Sequence, residues 1–259
     1  MIRRLLSFAI PMAALLSGDA LRGDEWGDLT GRFVYDGAPP IRKLIPLSKE
    51  AVCLTRPVVD ESLVVGASGG VENIVVYVRV APGEDPPPVH PSYVMHAEDK
   101  VELREKDCRF EPRVVLLRTS QSLVTRSFDD FGHIPRIDGF RNVQVGAVIP
   151  AGNTQTHAFP LEEPVPAPVS CSVHPWMQAW LLVRDSPYFA VTDERGKFTI
   201  RNLPAGEWTF QFWHEKAGYL QQVTIDGAER QWRKGRVRLT IEAGENDLGT
   251  IRLRPEVFQ

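Results

Sequence analysis

Alternation with a period of two runs through most of this chain, and no comparable helical periodicity does. Ile74, Val76, Val78 and Val80 occupy every second position of one run, and Val143, Val145, Ala147 and Ile149 do so in another. Trp208, Phe210 and Phe212 make a third set, and Val237, Leu239 and Ile241 a fourth. Side chains of an extended strand point alternately to opposite faces, so each apolar set falls on one face of a sheet. Turn signals separate the runs, at Asp36-Gly37, Asp193 to Gly196, Pro204-Ala205-Gly206 and Asp226-Gly227. Short strands with frequent turns predict an all-β chain made of β-sandwiches.

Two proline-rich stretches, Glu84 to Ser92 and Glu162 to Pro168, lack the amide donors a central strand needs and read as extended connections. Asp185-Ser186-Pro187 follows the apolar run Ala179 to Val183 and marks the best boundary, dividing residues 27–185 from residues 186–259. The opening GDLTGRFVYDGAPP is expected to pair with the first of these two parts.

At the start, Arg3 and Arg4 precede an apolar run from Leu5 to Leu16 and small residues near Gly18 and Ala20. That pattern predicts a secretory signal peptide over residues 1–20, with an uncleaved anchor as the alternative. No later stretch is long and apolar enough for a second membrane segment, so the rest is expected to fold in the periplasm or outside the cell. A net charge of -3 gives no electrostatic reason for a nucleic-acid partner. The densest basic stretch, Arg230 to Arg238, reads as a strand with a charged outer face.

Three cysteines in an exported chain leave one unpaired. Cys53 and Cys108 have no other ligand-type residue close by, so they are paired here as a disulfide. Cys171 has His174 and Met177 beside it in VSCSVHPWMQAWLLV. Pro175 argues against a helix interior there, and a short loop entering a strand fits better. Thiolate, imidazole and a weak thioether suit copper, and two histidines with one cysteine in a plane and a distant axial methionine make an electron-transfer copper site. The second histidine must come from His90, His96, His133, His157 or His214. His133 is the first choice, because it sits in the turn FDDFGHIP after a strand-like run; His157 is the main rival. Trp176 and Trp180 are candidates for shielding the site from water.

The segment resembles the ligand loop of the cupredoxins, most closely the C-x-x-H-P-aromatic-M pattern of amicyanin, with Trp176 at the aromatic position. Phe110-Glu111-Pro112 resembles the F-x-P that opens a cupredoxin strand. The resemblance implies that His133 is the first ligand, Cys171 and His174 its in-plane partners and Met177 the axial one. Ile134 and Ser127 stand where cupredoxins commonly have asparagines. Further on, TDERGKFTIRNLPAGEWTFQFW resembles the hairpins of carboxypeptidase regulatory-like and carbohydrate-binding-like domains. Together these imply a cupredoxin-like Greek-key β-sandwich followed by a smaller prealbumin-like sandwich, as in exported bacterial proteins of the methylamine-utilisation type.

The function expected is that of a protein holding one type-1-like copper ion as an electron carrier with a redox partner protein. Copper storage or delivery is a near alternative. Another class is a surface module binding carbohydrate or protein, with Trp208, Trp213, Tyr219 and Trp232 as a sugar platform or, in the blander reading, as core and rim. No nucleophile elbow, phosphate-binding glycine loop or dinucleotide fingerprint occurs, and His214-Glu215 lacks the second histidine of a zinc protease, so no enzymatic activity is expected.

Overall fold

The computed structural model describes residues 25–47 and 57–259. The expected signal peptide and Cys53 lie outside the described residues, and so does the Cys53–Cys108 pairing. Nineteen strands follow one another: β1 (Trp26–Tyr35), β2 (Val75–Val78), β3 (Lys100–Lys106), β4 (Arg109–Glu111), β5 (Val114–Arg118), β6 (Ser122–Ser127), β7 (Pro135–Ile137), β8 (Val145–Gly146) and β9 (Thr154–Ala158). They continue with β10 (Ala167–Cys171), β11 (Gln178–Arg184), β12 (Phe189–Val191), β13 (Lys197–Pro204), β14 (Gly206–His214), β15 (Gly218–Tyr219), β16 (Gln222–Ile225), β17 (Ala228–Gln231), β18 (Arg236–Ile241) and β19 (Gly244–Leu253). The one α-helix among the described residues is the short turn Pro91–Val94. The chain is therefore all-β, as its alternation predicts, and no described helix is long and apolar enough to cross a membrane.

Four sheets pair into two layered bodies. One body stacks β4-β3-β6-β9 on β5-β11-β10-β7-β8. Its core includes Leu103, Leu117, Leu123, Ile137, Phe159, Val169, Leu181 and Val183, and reaches Cys171 and Met177 at one end. The other stacks β13-β1-β19-β16-β17 on β12-β2-β14-β15, with β18 on β14. Phe33, Phe198, Phe212 and Trp232 lie in its core, the last two rings stacked with centroids 4.5 Å apart. Burying each such side chain contributes about 1.5–3 kcal/mol.

The sequential division at residue 186 does not follow the strand pairing. β1 lies antiparallel to β13 and parallel to β19, and β2 pairs with β14 and β12. The opening strand thus belongs with the C-terminal strands, not with the part carrying Cys171. Period-two alternation says which face a residue takes but not which strand lies beside it, so the error is one of pairing. In β1 the inward positions alternate as Gly27, Leu29, Gly31 and Phe33. A Cβ on Gly31 would stand 2.8 Å from the Phe198 ring, so the missing side chain lets β13 pack closely.

β2 is buried along its whole length. Val76 and Val78 face the core with Phe212, whereas Val75 and Tyr77 join Val114, Leu182 and Trp213 in an apolar seam between the two bodies. The Arg184 guanidinium lies 4.1 Å from the Tyr77 ring centroid in that seam. The run Val143 to Ile149 is a second correction. Only Val145–Gly146 is strand, pairing with β7 at the edge of its sheet, and Ile149 makes a single bridge to His133, while Val143 is 88% exposed. Asp193 to Gly196 forms the turn expected of it. Gly196 has φ +74°, and a Cβ there would stand 2.0 Å from the Phe33 carbonyl oxygen.

Candidate metal centre

Cys171 ends β10 and Gln178 opens β11, so residues 172–177 form a loop between neighbouring antiparallel strands. The loop closes on itself: the Cys171 amide donates to the Met177 carbonyl at 3.2 Å, and the Met177 amide to the His174 carbonyl at 2.9 Å. Pro175 has no amide hydrogen to offer, which favours this turn over a helix. A second loop, residues 128–134, leaves β6 and comes alongside. The Ser172 amide donates to the Ile134 carbonyl at 3.0 Å, and His133 exchanges both backbone hydrogen bonds with Ile149 at 3.0 and 2.8 Å.

These two loops bring His133, Cys171 and His174 together, with one ligand atom from each lying within 4.8 Å of the others. The two Nδ1 atoms are 3.1 Å apart, and Cys171 Sγ lies 4.0 Å from His133 Nδ1 and 3.7 Å from His174 Nδ1. An ion bonded at about 2.0–2.1 Å to imidazole and about 2.3 Å to thiolate holds trigonal donors about 3.5–3.8 Å apart. The donor set therefore fits a single ion. His133, Cys171 and His174 are 0%, 3% and 5% exposed, and Cys171 is a free thiol. Met177 is buried in the same apolar cluster as Cys171.

His157 is not part of the group. It lies on β9 opposite Leu123, in the far sheet. His90 caps the short helix and meets Trp26 edge-on, and His96 is bonded to Asp99 at 2.7 Å. His214 is fully buried, which pushes its pKa down to about 3, and its Nδ1 accepts from the Lys216 amide. It is a neutral core histidine.

Asp129 is the functional side chain that sequence reasoning missed. Its Oδ2 lies 2.9 Å from His133 Nε2, while its two oxygens also accept from the Asp107 and Cys108 amides at 2.7 and 3.1 Å. A carboxylate on Nε2 holds the hydrogen there and leaves the Nδ1 lone pair facing Cys171 and His174. Burial pushes the His133 pKa below its ordinary value against the opposing pull of Asp129, so the ring is neutral and ready to bind metal at pH 7. The spacing of Asp129 to His133 was visible in FDDFGHIP, but nothing distinguished Asp129 from Asp130.

Aromatic rings close the site. Phe131 lies 5.1 Å from the His133 ring and 5.7 Å from the His174 ring. Trp176 packs 5.3 Å from His174 and donates its indole hydrogen to the Cys108 carbonyl at 3.2 Å. Trp180 instead faces Trp213 in the seam, 4.9 Å away. Outer partners of ligating histidines are worth roughly 10–100-fold in metal affinity. Asp129→Ala is accordingly expected to weaken metal binding by about that factor, as measured by competition with a chromophoric chelator.

The proposed sugar platform is not an exposed surface. Trp213 and Trp232 are 7% and 6% exposed, and Trp208 is half-buried with its indole bonded to the Pro204 carbonyl at 2.7 Å. Those tryptophans are core and rim residues.

No protein-family model and no curated protein matches the chain. Among solved structures it is similar to an amicyanin mutant in the Cu(I) state, at 8% identity and a TM-score of 0.30, over 33% of this chain and 82% of that one. A purple cupredoxin from Nitrosopumilus maritimus matches at 14% identity and TM-score 0.28, over 32% and 98%. A copper-containing nitrite reductase from Thermus scotoductus SA-01 matches at 14% and 0.30, over 41% of this chain and 25% of its own. Those likenesses cover about a third of the chain and are too distant to assign its chemistry.

Proposed function

We propose that this protein holds one type-1-like copper ion through His133, Cys171 and His174, with Met177 as a weak axial ligand, and that it carries single electrons. The observation carrying this reading is the buried trio of two imidazole nitrogens and one thiolate sulfur within 4.8 Å. Two imidazoles and a thiolate in a plane with an axial thioether suit copper. Structural zinc sites instead complete four strong nitrogen, sulfur or oxygen ligands, whereas His133, Cys171 and His174 offer three. Copper bound here supplies one-electron redox chemistry. The chain's own part is to fix the Nδ1 atoms, through Asp129 for His133, and to exclude water with Phe131 and Trp176. Ligands that are already in place need little rearrangement between oxidation states.

Burial argues for a carrier over copper storage or delivery, which needs donors that exchange the ion readily. The same burial suits a carrier: among the described residues, the pocket bordering this loop is lined by Val173, Trp176 and Met177 and not by His133, Cys171 or His174. A redox partner protein, export to the periplasm or beyond, and the Cys53–Cys108 disulfide belong to the same proposal. The test is to strip the full chain of metal and add Cu(II) or Zn(II). Intense thiolate-to-copper absorption that saturates at one ion per chain is expected. A colourless protein that prefers Zn(II) would overturn the copper reading.

A further inference from the structure

The inner face of the β4-β3-β6-β9 sheet carries a row of polar side chains. Glu105 is opposite Ser127 and Leu103 opposite Thr125 across β3 and β6; Thr125 is opposite Gln155 and Leu123 opposite His157 across β6 and β9. Directly opposed residues share a face of the sheet. Glu105, Ser127, Thr125, Gln155 and His157 therefore line one side, and Glu105 is fully buried. Among the described residues, neither carboxyl oxygen of Glu105 has a hydrogen-bond partner, and the same holds for Thr125 Oγ1, Gln155 Oε1 and His157 Nε2.

An ionised carboxylate without a partner costs several kcal/mol to bury, so the neutral acid is favoured. Burial, followed by the like charge of Asp129, pushes the Glu105 pKa up to about 8. The backbone places this acid beside the metal trio's support: the Glu105 carbonyl accepts from the Phe128 amide at 2.8 Å, one residue before Asp129, which holds His133. Among the described residues, Asp129 is the charged neighbour that acts on it. Arg104 and Lys106 take the exposed outer face of β3. His157, at the far end of the row, is kept neutral by burial. Glu163 is engaged by the amides of Phe140, Arg141 and Asn142, and Arg184 by the Tyr77 ring.

We propose that Glu105 is the proton-binding residue of this centre, taking up one proton when the copper takes up one electron and releasing it on oxidation. This rests on the copper-carrier reading above. The balance is simple. An external one-electron donor reduces Cu(II) to Cu(I), the charge of the ion with its thiolate falls from +1 to zero, and the Glu105 carboxylate binds one proton from solvent, forming an O–H bond. The loss of nearby positive charge is what raises the proton affinity of Glu105 on reduction. The row through Thr125 and Gln155 to His157 offers polar atoms along the way.

The test is a spectroelectrochemical titration of the copper-loaded full chain across a pH range bracketing 8. The reduction potential of the native protein is expected to fall as pH rises, whereas Glu105→Gln, which mimics the neutral acid, flattens that dependence near the native low-pH value. Reduced-minus-oxidised infrared spectra of protein labelled with 13C-glutamate should show a carboxylic-acid band gained on reduction and absent from Glu105→Gln. The infrared measurement on native protein decides the matter even where the variant does not fold. A pH-independent potential, a slope kept by Glu105→Gln, or no acid band would overturn the role of Glu105 while leaving a blue protein intact. A chain that forms no coloured copper complex removes the carrier reading and this role with it.

Discussion

Cys171→Ser abolishes the thiolate-to-copper absorption of the Cu(II)-loaded chain and leaves the far-ultraviolet circular dichroism of the sandwich unchanged. The substitution changes one atom of a side chain that is 3% exposed, so packing hardly alters. What it removes is the soft anionic donor that sits 3.7 Å from His174 Nδ1 and 4.0 Å from His133 Nδ1. A serine hydroxyl stays protonated at neutral pH and is a poor copper ligand, so the band has no source. His133→Ala should also disrupt the spectrum and lower copper affinity by at least about 100-fold, since a lost ligand exceeds the cost of a lost outer partner. His157→Ala serves as the control, because it lies on the far sheet, and it should leave the band in place. If His157→Ala is the damaging change and His133→Ala is silent, the ligand set is wrong.

That contrast marks how much of the site was legible. Cys171, His174 and Met177 share one short loop, and their residue types alone narrow the metal. His133 comes from a loop far away in sequence, and only its position after a strand set it above His157. Asp129 was not legible: its value lies in one hydrogen bond to Nε2 and two from backbone amides, none of which leaves a trace in composition or spacing. Glu105 was hidden differently. In KVELREK it occupies an inward register like that of Leu103, and a charged residue inside a strand reads as a solvent-facing one until the partner strand is known.

The fold divides the same way. The faces of β14 and β18 follow from Trp208, Phe210 and Phe212 and from Val237, Leu239 and Ile241. The pairing of β1 with β13 and β19 depends on contacts between the two ends of the chain, which local alternation does not encode. Val143 to Ile149 shows the converse limit, in which the right period yields only a two-residue edge strand on β7 and one bridge to His133. Along this segment burial is reached only at the last alternating position, Ile149, while Val143 is 88% exposed.

Glu215→Ala should lower the unfolding free energy by about 3–5 kcal/mol, far more than a surface ion pair contributes. Arg113 donates from Nε and Nη2 to both Glu215 oxygens at 2.8 and 2.6 Å, and the two side chains are 12% and 5% exposed. Removing the carboxylate strands a guanidinium that is out of water, and that stranded charge is the main cost. Arg113→Met combined with Glu215→Leu takes both charges away and should recover most of the loss, as chemical denaturation of the single and double variants would measure. A loss below about 1 kcal/mol in Glu215→Ala would mean that the pair behaves as a surface bridge. The pair also has a functional side. Arg113 uses its remaining Nη1 to bond the Gln178 carbonyl at 3.0 Å, directly after Met177 where the loop enters β11. Glu215 belongs to the hairpin between β14 and β15, so one guanidinium ties the second body to the exit of the metal loop. Glu215→Ala should therefore speed copper loss to a chelator as well as lower stability, and the charge-free double variant, which restores stability without restoring the tie to Gln178, should keep the faster loss.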